Sequence, residues 1–200
     1  MKIGIIGGSF DPIHLGHLAM AEYLRELKNL DKIIFIPTGN APHKTYESLA
    51  DQRLEMVKLA IEDNKYFSFC EIEVLKETTS YTAETLKTLK EKCPEAELNF
   101  IIGMDNLFSI EKWYKIEELG KLTNILVSNR IYKEGISLGE TMKKCRYLQD
   151  EFSLKIDIVD SPIFEISSSD IRQRIKNNKS IKYLLPKKVE DFIKDNGLYK

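Results

Sequence analysis

The chain has 200 residues, 42% of them hydrophobic and 30% charged, proportions of an ordinary globular protein that can bury its own core. A formal net charge of -1 leaves no overall basic field to draw it to nucleic acid or an anionic membrane. Any phosphate site must therefore be local, made from a few placed cations and backbone amides. Cys70, Cys93 and Cys145 lie far apart and match no metal-ligand spacing, and their odd number predicts reduced thiols in a cytoplasmic protein. The apolar run after Lys2 is cut by Gly7, Gly8 and Asp11, too soon for a signal peptide or a membrane span.

In chain order, residues 2–6 read as a buried strand that runs into glycines. Residues 15–27 repeat apolar positions with helical spacing, and 32–37 form a second strand ended by proline. That opening is a βαβ unit. Residues 49–61 read as a helix, 67–71 as a short strand, and 82–92 as a helix with Pro94 just past its end. Strands follow at 97–102 and 124–128, a helix at 138–148, a strand at 154–159, and helices at 168–176 and 187–196. The alternation predicts an α/β, Rossmann-like, doubly wound and mostly parallel sheet with helices on both faces. Such sheets bind ligands beyond the carboxyl ends of their strands, where strand order reverses. No linker or repeat divides the chain, so residues 1–200 are expected to form one domain, with a C-terminal helical segment from about 167 packed on it.

The first chemical motif spans residues 7–17. Gly7 and Gly8 let the backbone turn sharply after a buried strand and come close to a ligand. His14 and His17 stand three apart at the mouth of the next helix, where free amides and the macrodipole already favour anions. Two imidazoles there can donate to phosphate oxygens. Simpler readings exist: the glycines would also serve a plain turn, and the histidines could be two zinc ligands. A third zinc ligand would have to come from His43, an acid or a distant cysteine, and no tight cluster supplies one. Neither the dinucleotide fingerprint nor a P-loop is present.

The second motif is Ile166-Ser167-Ser168-Ser169-Asp170-Ile171-Arg172. Ser167 and Asp170 have capping-box spacing, so the serines open a helix with outward-facing amides. Arg172, one turn in, can reach back over that end with a planar fork suited to phosphate. A helix cap with a solvated arginine is the plainer alternative. Three further features bear on a second substrate. Lys44, in Pro42-His43-Lys44, follows the second strand and could meet phosphates. Thr82 opens a helix whose amides could hold a carboxylate. Trp113, the only tryptophan, sits among charged neighbours with Tyr114, as a ring at a pocket wall would.

Gly8-Ser9-Phe10-Asp11-Pro12-Ile13-His14-Leu15-Gly16-His17 resembles the signature of the HxGH nucleotidyltransferase superfamily, and the serine-rich segment resembles that superfamily's second motif. Over nearly its full length the chain is similar to the bacterial nicotinate-mononucleotide adenylyltransferase family. The likeness includes Pro-His-Lys after the second strand, Tyr81 to Leu86, Ile-Ile-Gly-x-Asp at 101–105 and the Trp-Tyr pair. The resemblance implies adenylyl transfer from ATP to nicotinate mononucleotide, with magnesium carried by the nucleotide. It assigns Gly7, Gly8, Ser9, Phe10, His14, His17, Gly103, Asp105, Ile166, Ser167, Ser168 and Arg172 to ATP. It assigns Ser9, Lys44, Thr82, Trp113, Tyr114 and Arg130 to the acceptor, and makes His14, His17, Lys44 and Arg172 catalytic. One departure stands out: residues 129–135 replace the family's frequent Arg-Pro-Gly, with Arg130 keeping only the charge.

These readings imply small-molecule substrates and neither nucleic acid nor membrane as partner, in a monomer or a homo-oligomer. Two alternatives remain open at this point: a sibling transferase acting on nicotinamide mononucleotide, phosphopantetheine or an alcohol phosphate, and a non-catalytic ATP sensor. An NAD-dependent oxidoreductase is disfavoured by the missing fingerprint.

Overall fold

The computed structural model describes residues 1–40, 45–76, 78–130, 137–162 and 164–200, with the side chains of all of these but 129 and 130. Six strands form one sheet: β1 (Lys2–Gly8), β2 (Lys32–Pro37), β3 (Phe67–Phe69), β4 (Glu97–Gly103), β5 (Asn124–Arg130) and β6 (Lys155–Ser161). Their order is β3-β2-β1-β4-β5-β6, and every pairing is parallel. The order reverses between β1 and β4. That junction is where a doubly wound sheet opens a crevice at its carboxyl end.

Both sheet faces are apolar, as a covered parallel sheet requires. Strand residues alternate between two cores with the period of two that the pleat imposes. Ile3, Ile5, Leu98, Phe100, Ile102, Ile125 and Val127 point to one core, where α3 (Thr82–Lys92), α5 (Ile116–Leu122) and α6 (Leu138–Phe152) cover them. Ile6, Ile33, Phe35, Ile101, Leu126 and Val159 point to the other. There α1 (Leu15–Leu27), α2 (Ala50–Ile61), α7 (Ser168–Lys176) and α8 (Lys187–Asp195) cover them. Ile171, Val189 and Ile193 bring the last two helices into that core.

Element ends shift from the sequence reading for local reasons. Leu49 is the N-cap of α2 rather than its first helical residue, with Gln52 accepting from its amide. Strand β3 stops at Phe69, while β5 runs on to Arg130 and β6 to Ser161. The stretch between β4 and β5, which carries no helical prediction, folds into α4 (Met104–Leu107), a 3-10 turn (Ile110–Lys112) and α5. Each piece is too short for a periodic pattern to register. Lys115, in the left-handed region at φ 54°, turns the chain into α5.

Candidate active site

Strand β1 delivers Gly7 and Gly8 to the switch point, and the chain then turns through Ser9 and Phe10 into α1. Phe10 is buried with φ 49°, an uncommon value for a non-glycine residue. Its ring packs edge-on to His17 at 5.2 Å and tilted against Phe35 at 5.8 Å. A Cβ on Gly8 would stand 3.0 Å from that ring, so glycine is what lets the aromatic fold under the turn.

His14 and His17 lie on the same side of the helix mouth with their rings stacked at 3.7 Å. Gly16 makes room for them: a Cβ there would come within 3.1 Å of His14 Nδ1. His17 Nδ1 accepts from the His14 amide at 3.3 Å. A neutral ring with an accepting Nδ1 carries its proton on Nε2, which leaves Nε2 as a donor. The two histidines differ in access. His17 lines two cavities, whereas His14 is buried beneath it and lines neither.

Three cavities meet around this turn. The largest, about 590 Å³, is lined by Gly7, Gly8, Thr82, Trp113 and Tyr114, with Glu73, Ser80, Tyr81, Asn106 and Lys112. The Trp113 ring meets Phe100 edge-on at 6.1 Å, and Tyr114 lies 4.5 Å from Tyr81, which gives the chamber aromatic walls. At its rim α3 begins. Tyr81 is the N-cap and its carbonyl takes the amides of Glu84 and Thr85. The Thr82 and Ala83 amides have no backbone acceptor among the described residues, as expected at a helix start, and Thr82 lines the chamber. Thr82 is thus the first helical residue and not the cap.

A second cavity, about 300 Å³, continues from Gly7, Gly8 and His17 past Gly103, Met104 and Asp105 to Leu138 and Thr141. The two chambers share Gly7, Gly8, Phe100, Asn106 and Trp113 as a common wall. The third, about 280 Å³ and polar, lies among Ser9, Phe10, Asp11, His17, Ser168 and Arg172, with Thr45 and Tyr46 opposite.

The second motif approaches this third cavity from α7. Ser167 caps the helix by accepting from the Asp170 amide at 3.1 Å, so half of the expected capping box is present. Ser168 Oγ donates to the Pro12 carbonyl at 2.8 Å, and Arg172 Nη1 donates to the Asp11 carbonyl at 2.7 Å. These bonds clamp the second motif onto the first. Arg172 Nε also pairs with Glu47 at 2.8 Å, and Lys176 pairs with the same carboxylate at 2.7 Å. Lys176 and then Arg172 hold the Glu47 carboxyl below the usual range. Ile166 packs against the core and the Ser167 side chain is spent on its cap; neither lines the three cavities.

Lys44 lies outside the described residues, as do the side chain of Arg130 and residues 131–135 of the segment that replaces Arg-Pro-Gly. The structure therefore brings together the glycines, Ser9, Phe10, His17, Ser168 and Arg172 with the two chambers that hold Thr82, Trp113, Tyr114, Gly103 and Asp105.

Sequence reasoning missed the scaffold under the turn. Asp11 is buried and accepts from the Glu47 amide, Ser48 Oγ and Tyr199 Oη. Burial pushes the Tyr199 phenol well above its ordinary pKa. Arg53 is also buried, and its Nη1 donates to the Ser9 carbonyl at 2.8 Å. Burial lowers its pKa from the ordinary arginine value. A signal for Arg53 was available: positions 53, 57, 60 and 61 fall on one helical face, so an arginine stood in an apolar stripe. Tyr199, in a short tail after Gly197, offered no such pattern.

Comparison with known proteins agrees with this geometry. The cytidylyltransferase-like family model matches residues 5–174. The chain is 42% identical over 201 residues to the "Probable nicotinate-nucleotide adenylyltransferase" of Caldicellulosiruptor saccharolyticus, covering 100% of both chains. It is also 42% identical to the protein of the same name from Exiguobacterium sibiricum, covering 100% of this chain and 99% of that one. Among solved structures, the Plasmodium falciparum nicotinic acid mononucleotide adenylyltransferase complexed with NaAD superposes with a TM-score of 0.78 at 22% identity. That match covers 99% of this chain and 97% of that one. The same enzyme complexed with APC gives 0.73 at 21% identity, covering 99% and 96%. At that identity these two establish the fold. The chain belongs to the cytidylyltransferase-like family and, within it, to the nicotinate-nucleotide adenylyltransferases.

Proposed function

We propose that this protein transfers the adenylyl group of ATP to nicotinate mononucleotide, giving nicotinate adenine dinucleotide and pyrophosphate for NAD biosynthesis. One observation carries the reading: two chambers, one with aromatic walls and the start of α3 at its rim, share a wall at Gly7 and Gly8 beside His17. A nicotinate ring fits against Trp113 and Tyr114, with its carboxylate at the start of α3 beside Thr82. Gly103 and Asp105 line the neighbouring chamber, which suits the adenosine. The polar cavity with His17, Ser168 and Arg172 suits the leaving phosphates.

In this reading a phosphate oxygen of the acceptor attacks the α-phosphorus of ATP in line. The new P–O bond forms as the bond to the α–β bridging oxygen breaks, and pyrophosphate leaves with that electron pair. The attacking oxygen is already ionised at neutral pH, so no general base is needed, and no covalent intermediate is expected. Positioning and charge stabilisation do the chemistry, with His17 Nε2 and the Arg172 guanidinium as donors and His14 supporting His17 from beneath. Lys44 and Arg130 are assigned to the same site on sequence grounds. Magnesium would enter with ATP and offset charge on its phosphates. We read the cytoplasm as the setting, given free Cys70, Cys93 and Cys145 and, among the described residues, no helix able to cross a membrane.

Pyrophosphate release from MgATP, with nicotinate and nicotinamide mononucleotides as parallel acceptors, tests the proposal. Fast release with the acid and slow release with the amide is expected. No release with either overturns it.

A further inference from the structure

Arg53 is the largest fully buried side chain among the described residues, 1% exposed, and the reaction proposed above has no use for it. A permanent charge in an interior demands acceptors. Those of Arg53 are two backbone carbonyls and a ring: Ser9 at 2.8 Å from Nη1, Gly39 at 3.5 Å from Nη2, and Tyr46 with its centroid 4.1 Å from the guanidinium carbon. It thus joins the turn after β1, the start of the loop after β2 and a segment that lines the polar cavity.

The bond to Ser9 decides the orientation of a peptide. In a planar trans peptide the carbonyl and the following N–H point in opposite directions. A Ser9 carbonyl drawn down onto Arg53 therefore turns the Phe10 amide away from the core, toward the cavity that Ser9, Phe10, His17 and Arg172 line. Among the described residues no backbone carbonyl accepts from that amide. Phe10 itself sits at φ 49°, a conformation that persists only where the surroundings over-determine it. Arg53 supplies that constraint from below.

We propose that Arg53 is a positioning residue for the nucleotide: it touches no substrate, but fixes the Ser9–Phe10 peptide so that the Phe10 amide donates to a phosphate oxygen of ATP. The inference rests on reading the polar cavity as the phosphate site. It predicts a separation that a merely structural arginine would not give, because the acceptor chamber around Thr82 and Trp113 shares no lining residue with the polar cavity.

Calorimetric titration of a non-hydrolysable ATP analogue and, separately, of nicotinate mononucleotide tests this on Arg53→Met and Arg53→Lys, with thermal melts to establish folding. Folded Arg53→Met should bind the analogue at least tenfold more weakly while nicotinate mononucleotide stays within threefold. Arg53→Lys keeps one donor for the Ser9 carbonyl, so its loss for the analogue should be three- to fivefold. Equal losses for both ligands, or analogue affinity of folded Arg53→Met within threefold of wild type, overturn the proposal. Where Arg53→Met does not fold, Arg53→Lys decides: a change below twofold for the analogue overturns it. Turnover is not read, so a wild type that binds the analogue but releases no pyrophosphate defeats the proposed reaction and leaves this inference standing.

Discussion

The hydroxyl of Tyr199 donates to Oδ1 of Asp11 at 2.7 Å, across 188 positions of sequence. The same carboxylate holds Ser48 and the Glu47 amide, and the Asp11 carbonyl holds Arg172. The turn that carries the glycines and opens toward the histidines is therefore tied to three remote segments before any ligand arrives. Preorganisation of this kind spares the reorganisation that a floppy loop would impose at the moment of reaction.

Tyr199→Phe should lower unfolding stability by about 1.5–3 kcal/mol, the range for a hydrogen bond to a charged acceptor. Because the folded phenol titrates above its ordinary value, its contribution is fully present below about pH 10 and falls as pH rises past it. Urea melts at neutral pH and at pH 11 should show the gap between wild type and variant closing. A gap that holds constant to pH 11 would contradict the buried hydrogen bond.

Glu47 pairs with Nε of Arg172, which lines the polar cavity, so it sets a negative charge beside the guanidinium proposed to meet the triphosphate. Glu47→Gln should raise apparent ATP affinity two- to fivefold, since Arg172 keeps its bond to the Asp11 carbonyl. The pair is partly exposed, so stability should move little. The KM for ATP, measured at saturating acceptor, reads this directly; a higher KM would mean that Glu47 holds Arg172 in its working position.

The two histidines should separate in their effects. His17→Ala is expected to cut kcat by about two to three orders of magnitude while the unfolding free energy changes by under about 1 kcal/mol. His14→Ala removes a buried ring beneath it and should cost roughly 1–3 kcal/mol in stability as well as activity. Steady-state kinetics with parallel denaturation curves distinguish them. Near wild-type turnover for His17→Ala would remove that residue from the chemistry.

Trp113→Ala should raise the KM for nicotinate mononucleotide by about tenfold, as expected when a stacked ring is lost. The shared wall means that some effect on ATP is expected, but a smaller one. Equal increases for both substrates would place the ring at the wall without a role in choosing the acceptor.

Much of this was legible in the sequence because the relevant patterns are local. The short apolar strands and the Gly7-to-His17 segment are contiguous, and Thr82 and Trp113 sit in recognisable contexts. What the sequence left dark is the support, which is made by contacts distant along the chain. Nothing near Asp11 announces Tyr199, and Glu47 reads as a loop acid until α7 brings Arg172 and Lys176 beside it. The difference in access between His14 and His17 was equally hidden, since spacing sets a shared face and not which ring lies on top.

The span between Asp11 and Tyr199 has a consequence for how the protein comes into being. A nascent chain shows the turn after β1 early and can tie it to Ser48 and Arg53, yet its bond from Tyr199 waits until Leu198 and Tyr199 have joined the core. Contacts so far apart close late and slowly. A chain clipped before Tyr199 should therefore hold this turn less firmly and bind ATP more weakly than the full chain.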